Sequence, residues 1–488
     1  MDPFGENHFL LLPRPDSFNG PPIGIPDTTT LAAHDFDVDT RTGFMPPQQP
    51  ISRLPEEWKA WEDILDSAVA ARLQLGYKSG LAQDEALNSE CWRERVRELP
   101  IIPTKNLFSS EPLLRRAHHV LAWILQFYIH SLPPSSPIKV PPPLTVPLLQ
   151  VSAQLQLPPV VTYSDDVLYN WTFKDGKEVD EDGNPIMPTG DNIDTKTTFT
   201  GTRDESEFYL VSARMELKGV EALELTRQIM DEAFVGDDIA IRRITEYLHE
   251  LGVVIKDLST MLMSVREGCS PDVFYNEIRP WFRGEDATGG SKWEFEGLEL
   301  DETLSPPTEL SGASAGQSSL IHTLDVFLGV DQFSHSKAPE DSSTSSAPST
   351  SSTRGQQQQQ PRSAFLKRMQ AYMPRHHRAF LNHLANNPRP IRDLVLVQSG
   401  EGHEPGNKLL DSYNAAVQAL KEFRDKHMII AALYIIGPAR RIAAGERETQ
   451  GKAGQVSEPL KGTGGTDLAK FLKGIRDQTR GAILESRP

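Results

Sequence analysis

The chain has 488 residues, enough for two to four domains, with 38% hydrophobic residues and a formal net charge of −17. That acidic balance excludes a protein devoted to coating nucleic acid, which needs a basic footprint. Cys91 and Cys269 are the only cysteines, which excludes a disulfide scaffold and any four-cysteine metal site and leaves 13 histidines as the abundant ligand type.

Residues 1–33, rich in Pro and Thr, read as a loosely ordered segment without the basic start of a secretory signal. No apolar run approaches the roughly 20 residues that span a bilayer, so a cytoplasmic protein without a membrane partner is expected. Residues 55–99 read as helix, with Trp58, Trp61, Ile64, Leu65 and Val69 at helical spacing. Leu114, Ala117, Val120, Leu121, Ile124, Leu125 and Tyr128 form a second amphipathic stretch, stopped at 131–134, and a proline-rich passage follows to Pro159. The acidic stretch 172–206 reads as a long exposed connection between a small domain, 34–203, and a large one, 204–488. Helical period returns over 208–267, where Ile244, Leu248, Leu251, Ile255, Leu258 and Leu262 repeat at three and four residues. Residues 336–362, with their Ser and Gln runs, cannot order themselves by burial and read as a surface insertion. A last long helix is expected over 408–436, stopped by Gly437-Pro438. Strand alternation is nearly absent, so the fold class is all-α.

Most catalytic motifs fail on spacing. There is no GxxxxGK[ST], the 461–467 glycine run lacks dinucleotide-loop spacing, and His249-Glu250 has no second His to complete a zinc site. Gly312-Ala313-Ser314-Ala315-Gly316 matches GxSxG, but no apolar strand leads into it, as a nucleophile elbow demands. The last long helix offers more. Its buried stripe runs Leu410, Tyr413, Val417, Leu420, Arg424, His427, Ala431, Tyr434, so two polar side chains interrupt an apolar face. A buried Arg needs an anion. Either the pair is a core His beside an Arg and some carboxylate, or it meets a cofactor that offers both a metal and carboxylates, as haem does. Phe274, Tyr275 and Arg279 form a second interruption, readable as a helix end with a surface Arg or as an aromatic pocket whose Arg holds a substrate carboxylate.

LVSARMELKGVEAL (210–223), SPDVFYNEIRPW (270–281), SGASAGQSSLIHTLDVFLG (311–329), YMPRHHRAFLNHL (372–384), FRDKHMIIAALYII (423–436) and KGTGGTDLAKFLK (461–473) resemble the indoleamine 2,3-dioxygenase family. GFMPPQQPISRLP (43–55) and LQLPPVVTYSDDVLYNW (155–171) are similar to its small domain. The resemblance implies a two-domain helical haem protein, with the small N-terminal domain capping a large haem-binding bundle. It implies His427 as the iron ligand of haem b, ferrous when active, and Arg424, oriented by Asp325, toward a propionate. Ser314 and Ala315 would lie beside the haem, which gives the GxSxG match a non-nucleophilic meaning. Phe274 and Arg279 would be the distal aromatic and the carboxylate clamp; Tyr163, Phe208 and Ser212 would line the indole pocket; Thr463 would close over the amino-acid end.

The activity so implied inserts O2 across the indole C2–C3 bond of L-tryptophan to give N-formyl-L-kynurenine, at the head of the kynurenine route to NAD. Such a protein works as a monomer with an electron donor for the haem. The chain departs from the family pattern at Ala313 (usually Gly), Asp166 (apolar or Cys) and Phe282 (Leu). An ionised Asp166 in a dry pocket would be costly, so it should be solvated, protonated or turned away. Three other readings stand beside this one: a weakly catalytic haem sensor, a serine hydrolase using Ser314, and a helical scaffold tethered by the Ser/Gln tract.

Overall fold

A computed structural model describes residues 36–287, 291–333, 364–386, 391–400, 404–450 and 468–485. The segment 1–33, the insertion 336–362, and Thr463 with its glycine-rich loop lie outside the described residues.

The architecture is all-α. Where one helix was expected over 55–99 there are two, α1 (Lys59–Ala71) and α2 (Gln83–Arg97). Arg72 ends α1 in the left-handed region at φ 47°, returning its N–H to the carbonyls of Ala68 and Val69. Helix α3 (Glu111–His130) starts on Ser110, whose hydroxyl accepts the Leu113 N–H, and is buried over nearly its whole circumference. The proline-rich passage contains α4 (Pro142–Leu155), which opens on prolines in its first turn, where their missing N–H groups are not needed. The described strands are three residues long: β1 (Ile138–Val140), β2 (Trp171–Phe173), β3 (Ile193–Thr195) and β4 (Trp293–Phe295). β1 pairs with β4 in parallel and β2 with β3 antiparallel, so the acidic connection is pinned at both ends of its exposed stretch.

The long helices follow: α5 (Arg203–Val235) and α6 (Asp238–Gly268), separated by Gly236 at φ 69° and an Asp237 cap that accepts from the N–H groups of Ile239 and Ala240. After α7 (Ser319–Phe327) come α8 (Ala364–Gln370), α9 (Arg375–Asn386), α10 (Ile391–Gly400), α11 (Glu404–Ala431), α12 (Gly437–Gln450) and α13 (Leu468–Gly481). Helix α6 packs along both α5 and α11. Its Ile244, Leu248, Leu251, Ile255 and Leu258 are sealed from solvent against Tyr413, Ala416, Val417 and Leu420. A second core surrounds α3, where Phe199 stacks between Trp123, at 3.9 Å, and Trp281, at 5.4 Å.

Gly437-Pro438 does not stop the last long helix, as had been expected. The chain turns once as a π-helix over Ala432–Ile436, with the Gly437 N–H on the Ala432 carbonyl, and α12 then continues. Pro438 thus falls in the first turn of α12, where a missing donor is tolerated.

Two contacts bind the irregular segments to the helices. A side chain at Gly312 would stand 1.7 Å from the Phe282 carbonyl oxygen, and one at Gly284 would stand 2.1 Å from that of Leu310. The 282–285 and 310–313 segments therefore touch backbone to backbone. On α5, the sealed Glu216 carboxylate accepts hydrogen bonds from the Tyr163 hydroxyl, at 2.9 Å, and the Ser318 hydroxyl, at 2.7 Å. Burial pushes this carboxyl up to about 7.

Gly312→Ala should cost about 1–3 kcal/mol of stability through forced separation of these backbones, measured by urea unfolding. Glu216 gives a pH test. Because the folded chain holds this proton more tightly than the unfolded one, the stabilisation is complete below the ordinary Glu range and is lost as pH rises through about 7. Glu216→Gln, which keeps both hydrogen bonds without the charge, should remove roughly 3 kcal/mol of stability difference between pH 5 and pH 8.

Candidate functional site

Helix α11 carries Arg424 and His427 three residues apart on one face. The Arg424 guanidinium donates to the Asp325 carboxylate on α7 and to the Thr479 hydroxyl on α13, and lies 3.4 Å from the Ile475 carbonyl. Both members of the Arg424–Asp325 pair are buried. His427 differs from its neighbours. It is half-buried, and its ring makes no hydrogen bond to any described residue. Burial, and then the Arg424 charge, hold it down to about 4, so the imidazole is neutral at physiological pH. A neutral, unengaged imidazole is the form that binds a metal.

Ser314 lies in extended backbone (φ −155°, ψ 143°), and its hydroxyl accepts the Gly316 N–H at 3.2 Å. No described histidine is in hydrogen-bond reach of it; His322, buried on α7, hydrogen-bonds the Gly316 carbonyl at 2.9 Å instead. The strained strand-to-helix turn of a nucleophile elbow is absent here. Ser314 is half-buried and Ala315 exposed, so small side chains of this loop present an open face.

A cluster of aromatic rings occupies the junction of α5 with the Phe274 segment. Phe208 is 4.7 Å from Phe274 and 6.2 Å from Phe282, and Tyr209 is 5.9 Å from Phe282. Phe274 begins a π-turn, Phe274–Ile278, that runs directly into the 3-10 turn Arg279–Phe282. Arg279 is buried, its guanidinium 5.5 Å above the Tyr275 ring. Burial, then the neighbouring Arg283, lower it to about 10. A carboxylate brought beside these two cations would relieve both costs.

The remaining residues are joined by hydrogen bonds across segments. Tyr163 gives its hydroxyl to Glu216 and its N–H to the Gln317 side chain, at 2.8 Å, while Gln317 donates to the Gly312 carbonyl at 3.0 Å. Phe208 and Ser212 stand one turn apart on α5, and the half-buried Ser212 hydroxyl has no partner among the described residues. Asp166 is buried and pushed well above the carboxylate range, so it is protonated. The adjacent His118 and His119 are buried and hydrogen-bonded, to Asp165 and Pro158 and to Asp165 and Thr197 respectively.

Glu205, Tyr209, Glu216 and Gln317 were not singled out from the sequence. The signal was present on α5, where Glu205, Ser212 and Glu216 interrupt an apolar stripe as Arg424 and His427 do on α11. Tyr434, two turns after His427, touches Phe274 at 5.6 Å and donates to the Cys269 carbonyl at 2.6 Å. The helix carrying the free imidazole is thereby packed against the aromatic cluster. These residues fit haem: a neutral nitrogen for the iron, a guanidinium one turn away, and a small-residue loop with an open face.

A family model described as Indoleamine 2,3-dioxygenase matches residues 32–482. The chain is 28% identical over 483 residues to indoleamine 2,3-dioxygenase acdA of Aspergillus candidus, covering 93% of this chain and 98% of that one. It is 30% identical over 462 residues to the indoleamine 2,3-dioxygenase of Saccharomyces cerevisiae, covering 91% and 92%. It is 27% identical over 482 residues to 6-hydroxytryptophan 2,3-dioxygenase fscD of Fusarium equiseti, covering 94% and 98%. A match across nearly the whole chain, on a helical fold with this site, leads to one conclusion: the chain belongs to the indoleamine 2,3-dioxygenase family, haem-containing dioxygenases that act on tryptophan-like substrates.

Proposed function

We propose that this chain converts L-tryptophan and O2 to N-formyl-L-kynurenine, opening the kynurenine route toward NAD. The observation that carries the reading is the unengaged neutral imidazole of His427 on a helix that packs, through Tyr434, against the Phe274–Arg279 segment. Haem b, bound in its ferrous form, would supply the iron at which O2 is activated for insertion across the indole C2–C3 bond.

The protein's own residues then position and enclose. His427 would ligate the iron, and Arg424, held by Asp325, would face a propionate. Ser314 and Ala315 would lie against the haem. Arg279 would take the substrate carboxylate, leaving the indole among Phe208, Phe274 and Phe282, where aromatic surface excludes water. Tyr163 and Ser212 would complete the wall, and Thr463 would close over the amino-acid end. No side chain need act as base on the indole. Glu216 has its own hydroxyl partners, and its place is to fix Tyr163 and Ser318.

We assign residues 34–203 to a small domain roofing the substrate and 204–488 to the bundle holding the haem. Tyr163 would reach across that division. A cytosolic monomer reduced by an external donor is our working description; none of the described helices is long and apolar enough to cross a membrane.

The test is anaerobic reduction of the haem-loaded chain followed by O2 and L-tryptophan, read at the absorbance of N-formylkynurenine; absence of product overturns the reading. His427→Ala should eliminate the Soret band of the purified protein, and retention of a wild-type spectrum would remove His427 as ligand. Arg279→Ala should lower kcat/KM for L-tryptophan by roughly 10- to 150-fold, the worth of a charge-assisted hydrogen bond. An unchanged kcat/KM would place the carboxylate elsewhere.

A further inference from the structure

Three carboxyl groups meet where the 162–168 segment packs on α5, and their surroundings differ. Asp165 accepts from His118, at 2.8 Å, and from the N–H and hydroxyl of Thr162. Glu205 accepts from the N–H groups of Phe199 and Thr200 and from the hydroxyls of Thr200 and Tyr209. Both are saturated. Asp166 is 5% exposed, its Oδ1 has no partner, and neither carboxyl oxygen hydrogen-bonds another described residue.

A buried carboxyl without a partner costs stability of order 1–3 kcal/mol, so a fold that retains one needs a use for it. Its position suggests the use. The carboxyl sits close enough to Tyr163 and Tyr209 to act on both phenols. Tyr209 adjoins Phe282 and Phe208, the rings of the proposed indole pocket. Arg279 stands beyond these rings, with Tyr275 and Tyr77 around it. An amino acid anchored by its carboxylate at Arg279 would extend its aromatic end away from the clamp, toward Asp166.

We propose that Asp166 is a specificity-determining residue that hydrogen-bonds a hydroxyl on the six-membered ring of the substrate, so that ring-hydroxylated tryptophans are the preferred substrate class. The inference rests on the proposed Arg279 clamp and deepens that reading. Protonated, as its burial requires, the carboxyl offers one donor and one acceptor. A ring hydroxyl offers the same two in return. An unsubstituted ring satisfies neither and leaves the acid stranded, which is how a polar site discriminates against an analogue lacking the group.

The test is titration calorimetry on the haem-loaded full chain with L-tryptophan and the 4-, 5-, 6- and 7-hydroxy isomers, with kcat/KM measured in parallel. At least one isomer should bind on the order of tenfold tighter than L-tryptophan, the worth of about one buried hydrogen bond. Asp166→Val should bring that ratio to one or below, and Asp166→Asn, which keeps a donor and an acceptor, should hold part of it. No preference for any isomer in the wild type, or a preference that survives Asp166→Val, overturns the assignment. Should Asp166→Val not fold, the Asp166→Asn ratio decides: a ratio equal to wild type also counts against it. A wild-type chain that binds no indole amino acid overturns the proposed substrate class together with Asp166; one that binds L-tryptophan and every isomer equally overturns Asp166 alone.

Discussion

The hydrogen bonds received by one buried carboxyl hold the distal half of the site together. Glu216 sits on α5, Tyr163 on the segment after α4, and Ser318 at the mouth of α7, and the three meet at a single oxygen. Gln317 repeats the tie beside it, taking the Tyr163 N–H and giving to Gly312. Tyr163, the Ser314 loop and the Ser212 face of α5 therefore cannot move independently. In a dry setting each of these bonds is stronger than in water, and each broken one would leave a buried polar atom stranded.

The opposite half depends on packing and one ion pair. Arg424 is clasped between α7 and α13, which fixes the register of α11 and so the height of His427. Tyr434 then transmits that register to Phe274. The resulting division of labour suits a reaction whose chemistry a bound cofactor supplies: the protein orients, neutralises one carboxylate and excludes water.

Legibility in the sequence followed the physics of each element. His427 and Arg424 could be read because a polar pair on an apolar stripe is anomalous at the helical period. The bundle helices could be read because Ile244 through Leu258 keep that period without interruption. The break after α1 was missed because it turns on Arg72, a residue type with no preference for the left-handed region. Pro438 misled for the opposite reason: a strong stop signal was absorbed by a π-turn, which no local propensity announces. Tertiary ties such as Tyr163 to Glu216, 53 positions apart, leave no trace in local spacing at all. The departure at Asp166 was visible as a residue type, but only the structure distinguishes it from Asp165 next door, whose hydrogen bonds are complete.

Three π-turns, Ser164–Leu168, Phe274–Ile278 and Ala432–Ile436, flank the residues assigned to the site. Each inserts one residue into a helical turn and so rotates everything downstream by about a hundred degrees relative to an uninterrupted α-helix. Asp166, Arg279 and α12 owe their bearings to these local overhangs. A single-residue deletion within such a turn would keep the helix continuous and the composition almost intact, yet swing the following side chains to a different face. The site is thus indexed by residue count as much as by residue identity, and point substitution alone would not expose that dependence.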